Sequence, residues 1–246
     1  MEVIYIGDRG AGKTHLAMEL ANPDNDYVRV SSPEYEYLKL LLYDDETGKG
    51  TKATDSNKEV DQRFLDIEVR LPRGYEEISL DWVDTPGEIW RKKWRRDNGD
   101  KWINFVQTAQ KSEGILLIIA PYRNLIREGV DARDFITKQQ WCRRFELWVK
   151  FFQKECPQAK RLLICLNKAD LFCDLEQEAA RLERFKWQQK HRYILQKYFK
   201  PIQSKIEKIN ENNYGLAINC FITSIYNRQL LELPWRYLGS YLADYH

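Results

Sequence analysis

Residues Gly7 to Thr14 read Gly-Asp-Arg-Gly-Ala-Gly-Lys-Thr, the spacing G-x-x-x-x-G-K-[ST]. Residues of these types at these intervals can hold an anion. Gly7, Gly10 and Gly12 let the chain turn tightly, so that the main-chain N–H groups of Gly10, Ala11, Gly12, Lys13 and Thr14 can converge on a phosphate. Lys13 adds a full positive charge, a helix N-terminus adds a partial one, and the Thr14 hydroxyl can ligate Mg²⁺. An apolar run, Val3-Ile4-Tyr5-Ile6, precedes the loop. The setting is therefore strand, tight turn, helix.

Two more motifs carry chemistry. Asp84-Thr85-Pro86-Gly87 follows the alternating stretch 78–83, which places Asp84 at the C-terminal end of a half-buried strand. A carboxylate there can hold the water shell of Mg²⁺, and Gly87 can bring a main-chain N–H close to a terminal phosphate. Taken alone, the tetrapeptide reads equally well as an ordinary turn. Asn167-Lys168-Ala169-Asp170 follows the apolar run 162–166. The Asp170 carboxylate can accept from the N1–H and exocyclic amine of guanine, whereas adenine would leave it unpaired in a dry pocket. The Lys168 stem can lie along the base, and the Asn167 amide can tie this loop to the first one.

With three such motifs in this order, each at a strand end, the chain resembles the Ras-like and translation-factor-like P-loop GTPases. The likeness covers most of the chain as an order of elements, and three motifs carry its specificity. It implies GTP and GDP as ligands, Mg²⁺ as the metal and GTP hydrolysis as the activity. It also implies a further element that reads the guanine oxygen through main-chain N–H groups. Thr223-Ser224-Ile225 stands at that place, where the family usually shows Ser-Ala. A threonine of a first switch loop should close over Mg²⁺ and the terminal phosphate: Thr54 or its neighbour Thr51, both within the polar stretch 48–57. The resemblance thus assigns Thr14, Thr54 and Asp84 to the metal, and Lys13, Thr54, Gly87 and Glu88 to the reaction.

Two departures bear on rate. Glu88 stands where many of these enzymes have a water-orienting glutamine, and Arg9 stands where glycine is common. A carboxylate facing a polyanion and a bulky side chain in the loop both predict slow intrinsic hydrolysis, quickened by a partner that supplies an arginine. Potassium-stimulated members carry asparagine at the position of Gly10, so no potassium activation is expected.

Around these motifs, strand and helix patterns alternate. Strand-like segments fall at 2–6, 64–71, 77–83, 114–120, 161–166 and 217–222, and helical ones at about 13–21, 100–112, 131–155, 175–209 and 228–244. The sequence thus predicts an α/β fold, a mostly parallel six-stranded sheet with helices on both faces and one antiparallel edge hairpin. One domain of 246 residues is expected, with insertions near 31–62 and 171–210 and an added helix within 31–45. Five irregularly spaced cysteines read as reduced thiols, the histidines lack metal spacing, and no apolar run reaches a membrane span. The first strand starts almost at Met1 and neither end carries a lipidation motif, so a cytoplasmic protein is expected.

The segment 88–102 holds Trp90, Trp94 and Trp102 among six basic residues, Arg91, Lys92, Lys93, Arg95, Arg96 and Lys101. It reads as a second switch that offers a hot-spot surface to a protein partner, or as an amphipathic stretch whose tryptophans pack inward. Arg91 or Arg95 could serve as an internal arginine finger. The basic, aromatic stretch 181–208 reads as a surface helix broken near Pro201. Docking of a partner on 181–208 is the other reading of that stretch; nucleic acid or an anionic membrane is a less favoured partner for 88–102, and a net charge of +2 supports neither. Oligomeric state is left open. Three functions fit: a GTP-hydrolysing switch, a non-hydrolysing GTP-binding subunit of a larger assembly, and an ATP-dependent enzyme sharing the phosphate loop.

Overall fold

The computed structural model describes residues 2–8, 10–23, 27–42, 61–84, 92–212 and 215–243, without the side chains of Glu2, Leu41, residues 61–63, Val83, Asp84 and Lys92. The strands are β1 (Glu2–Gly7), β2 (Val28–Ser32), β3 (Asp61–Leu71), β4 (Gly74–Asp84), β5 (Gly114–Ile119), β6 (Arg161–Leu166) and β7 (Ala217–Ile222). The longer helices are α1 (Lys13–Ala21), α2 (Tyr35–Leu42), α3 (Lys92–Asp97), α4 (Gly99–Lys111), α5 (Lys138–Glu155), α6 (Leu175–Glu183), α7 (Trp187–Tyr198), α8 (Gln203–Glu211) and α9 (Arg228–Ala243).

The sheet has seven strands in the order β2-β3-β4-β1-β5-β6-β7. Strands β4, β1, β5, β6 and β7 are parallel, and β3 runs against both β2 and β4. The expected antiparallel hairpin is therefore present as β3–β4, and the expected count of six strands is corrected to seven. The additional strand is β2, a short edge segment, Val-Arg-Val-Ser-Ser, in which Val28 alone is fully buried. A five-residue strand with one buried side chain leaves little hydrophobic pattern to read.

Tyr5 fixes one face. Its ring lies between Trp82 of β4 and Trp235 of α9, and its hydroxyl donates to the Lys13 carbonyl of α1 at 2.9 Å. Helices α1 and α9 also pack on each other, so they cover this side together. Ile4 and Ile6 point the other way and are just as buried, which requires a second layer. That layer is α4 and α5, packed together with α4 against β1. Every residue of β5 is accordingly buried, as a parallel strand covered on both faces must be. At the opposite rim from β2, the Asn210 side chain of α8 donates to the Ile218 carbonyl of β7 and accepts from its N–H, at 2.9 and 2.8 Å.

Several helix boundaries are corrected. The pattern predicts a helix from 131, but α5 begins at 138, where Thr137 and Gln140 form a capping box. Residues 120–137 instead form an ordered loop with a single 3₁₀ turn at 123–125. The single helix predicted over 175–209 is three, α6 to α8. Asp174 caps α6 by accepting from the Gln177 N–H, and Pro201 sits in a 3₁₀ turn before α8. The helix expected within 31–45 is present as α2. Among the described residues, no helix is long and apolar enough to cross a membrane.

Candidate functional site

The parallel strands end on one side of the sheet, and the loops that follow β1, β6 and β7 meet there. Gly7 closes β1 against β5, and a Cβ at Gly7 would stand 2.0 Å from the Ile118 carbonyl oxygen, so only glycine allows this approach. The chain then turns through Gly10 and Gly12, whose φ values of 72° and 87° suit glycine. Lys13 opens α1 and is buried, its ammonium donating to the carbonyls of Gly7 and Asp8 at 3.1 and 3.2 Å. Its charge is therefore held inside the turn. Ala11 is fully buried and Thr14 is half-buried in the first turn of α1.

Asn167 joins this loop to two others. It is buried at the end of β6, and its amide donates to the Ala11 carbonyl at 2.7 Å while its side-chain oxygen accepts from the Thr223 hydroxyl at 3.1 Å. A Cβ at Gly12 would lie 2.6 Å from the same amide nitrogen, a second reason for glycine there. The Thr223 carbonyl accepts from the Ala169 N–H at 3.0 Å, and the fully buried Ser224 hydroxyl donates to the Asp170 carboxylate at 2.7 Å. Asp170 lies in a 3₁₀ turn, 169–171, entered through Lys168 in the left-handed region at φ 62°. Ile225 is half-buried in the turn that follows. The structure thus brings together Gly7, Gly10, Ala11, Gly12, Lys13, Thr14, Asn167, Lys168, Asp170, Thr223 and Ser224.

Asp84 ends β4. Continuing the β1–β4 register two residues beyond the Tyr5–Trp82 pair sets Asp84 level with Gly7. Its side chain lies outside the described residues, as do Arg9, Thr51, Thr54, Gly87, Glu88, Trp90 and Arg91.

Four further groups sit against these loops and carried no motif. The Asp8 carboxylate turns to α5, accepting from the Trp148 indole N–H at 3.2 Å and pairing with Arg144 at 3.3 Å. His15 is half-buried; burial and then the Lys168 ammonium push its imidazole pKa down. The Phe135 ring centre lies 5.3 Å from the Lys168 ammonium, and the Arg127 guanidinium donates to the Asp170 carbonyl. Burial lowers the Lys168 pKa, with Asp170 opposing it. Wildcard positions inside a motif, and side chains arriving from a distant loop, have no spacing to reveal them.

In the segment 88–102, Trp94 is buried, and Trp102 packs against Phe105 and Phe151. The Arg95 guanidinium lies over the Trp102 ring at 3.9 Å. Trp94 is a core side chain, Trp102 is half-buried against the core, and Arg95 is engaged with Trp102. Lys93 and Arg96 stay on the surface.

Chemically, the site offers a cationic turn lined with main-chain donors and, joined to it through one amide, a buttressed carboxylate that accepts hydrogen bonds. No family model matches this sequence, and no curated protein is significantly similar to it.

Proposed function

We propose that the chain is a P-loop GTPase domain that binds GTP with Mg²⁺, hydrolyses it to GDP and acts as a nucleotide-dependent switch for a protein partner. The observation that carries this reading is the Asn167 amide, which locks a phosphate-type loop and a carboxylate-bearing loop into one unit. The order of strands and the resemblance of the three motifs agree with it. The five cysteines are unbridged, in keeping with a cytoplasmic protein.

The phosphates lie against the N–H groups of Gly10 to Thr14, with Lys13 balancing charge that develops during in-line attack by water. The guanine edge donates to Asp170, whose alignment Ser224 fixes, and the Lys168 stem covers one face of the base. Hard oxygen donors suit Mg²⁺: the Thr14 hydroxyl and, through water, Asp84 at the end of β4, with Thr54 from the first switch segment. When bound, Mg²⁺ supplies charge neutralisation at the phosphate oxygens. By the resemblance, Gly87 and Glu88 would act at the terminal phosphate, and the partner engages the switch segments including 88–102.

Calorimetric titration with GDP, a non-hydrolysable GTP analogue and ATP, with and without Mg²⁺, tests the reading. Guanine nucleotides bind tighter than ATP, and Asp170→Ala lowers that preference by about 100-fold while leaving metal dependence intact. Equal affinity for ATP sinks the guanine assignment. Turnover by the purified chain is expected to stay below about one per second; GTP recovered intact after prolonged incubation would favour a non-hydrolysing subunit instead.

A further inference from the structure

We infer that the β5–α5 loop, residues 120–137, is a positioning element of the base-reading site, in which Phe135 and Arg127 set the geometry of Lys168 and Asp170. The inference rests on the guanine reading proposed above.

Lys168 has two demands on it that its own loop does not meet. Its backbone occupies the left-handed region at φ 62°, which costs a non-glycine residue energy and persists only where neighbours over-determine it. Its stem must also stay extended to cover a base, although an ammonium on four methylenes ordinarily samples many rotamers. The β5–α5 loop answers both. The Arg127 N–H donates to the Leu171 carbonyl at 3.0 Å, and its guanidinium donates to the Asp170 carbonyl, so one residue grips two carbonyls of the 169–171 turn. From the other flank, the Ala169 N–H is held by the Thr223 carbonyl at the end of β7. The turn is thus clamped between two elements. The Phe135 ring then takes the Lys168 ammonium, its centre 5.3 Å from the nitrogen. The stem passes the first loop on the way: a Cβ on Gly12 would lie 3.9 Å from Lys168 Cε.

The loop is built to hold that ring in place. The Arg123 guanidinium donates to the carbonyls of Arg133 and Phe135 at 3.0 and 3.3 Å, and the Arg123 N–H donates to the Ile136 carbonyl at 2.9 Å. Asp131 pairs with Arg133 at 2.6 Å at the loop's outer bend. Trp141, in the first turn of α5, donates its indole N–H to the Ala120 carbonyl at 3.0 Å and closes the loop's two ends. Phe135 is therefore presented on a folded scaffold, and its loss should reduce the fraction of molecules whose Lys168 is ready to receive a base.

The test measures GDP and ADP affinity calorimetrically for the wild-type chain, Phe135→Leu, Phe135→Tyr and Arg127→Ala. Mg²⁺ tripolyphosphate serves as a probe of the phosphate loop alone, and the unfolding midpoint as a control for folding. Phe135→Leu and Arg127→Ala should each weaken GDP binding about three- to fivefold, in line with one lost cation–π contact or one lost clamp, with tripolyphosphate binding unchanged. Phe135→Tyr keeps an aromatic face and should bind as wild type does. If both weakening variants bind GDP as wild type does, while wild type prefers GDP over ADP, the loop has no positioning role and the guanine reading stands. If they lose GDP and tripolyphosphate affinity equally, the effect is general loosening and the inference fails. A wild-type chain with no preference for GDP over ADP overturns the guanine reading and the inference together.

Discussion

Asn167 shows how much one buried amide can decide. It is the residue at which the loop after β1, the loop after β6 and the end of β7 are bonded to each other. Replacing it with alanine strands the Ala11 carbonyl and the Thr223 hydroxyl, both in buried surroundings, each costing about 1–3 kcal/mol. Asn167→Ala is therefore expected to lose about 2–6 kcal/mol in urea unfolding and to weaken nucleotide binding more than Asp170→Ala does, because it loosens the phosphate side as well. A variant as stable as wild type would show that the loops are held by other contacts. At this scale the sequence was informative where residues act through fixed spacing, as in Gly7–Thr14 and Asn167–Asp170. It was silent on Asp8, His15, Arg127 and Phe135, whose meaning depends on which distant side chain they meet.

At the scale of elements, strands with continuous apolar runs were legible because burial on both faces leaves no polar interruption, as in β5 and β6. The helices after β6 were misjoined because basic and aromatic residues continue through the breaks, which are made by caps and by 3₁₀ turns rather than by an evident change of pattern. Helix α7 carries a titratable consequence. His191 packs edge-on against Phe221 of β7 and Tyr237 of α9, and burial pushes its pKa down to about 4. An unfolded chain takes up this proton near pH 6.5, whereas the folded chain does so near pH 4, so the unfolded state binds more protons between those values. Stability should fall as pH drops from 6.5 to 4 and change no further from this group below that window, by roughly 3 kcal/mol in all. Urea midpoints measured across that range, with His191→Phe as the comparison, check this: the variant's profile should be flatter by that amount. Identical slopes would assign the acid sensitivity elsewhere.

For the molecule as a whole, an ion pair within α9 ties that helix to residues 19–28 through its further hydrogen bonds. Glu232 of α9 is fully buried and accepts from Arg228 at 2.6 Å and from the Tyr27 N–H at 3.0 Å. The Arg228 guanidinium also donates to the carbonyls of Glu19, Leu20 and Val28, at 2.7, 3.1 and 2.9 Å. The end of α1, the start of β2 and α9 thereby share one charge network. Glu232→Ala leaves a guanidinium uncompensated in a buried setting, and about 3–5 kcal/mol should be lost in chemical denaturation. A loss below about 1 kcal/mol would mean the arginine finds water. The i,i+4 spacing of Arg228 and Glu232 is local to α9, but nothing in that pattern announces their other partners, which stand some two hundred residues away.

The Asn210 amide at the outer margin of β7 has a consequence for how copies of this molecule can meet. An unpaired strand edge is a template on which a foreign strand can zip, the usual route to fibrils and swapped dimers. By mimicking a neighbouring peptide group at Ile218, one side chain blocks that route on this margin. On the opposite margin stands the short strand β2, where Pro33, with no N–H to give, follows the last residue of the strand.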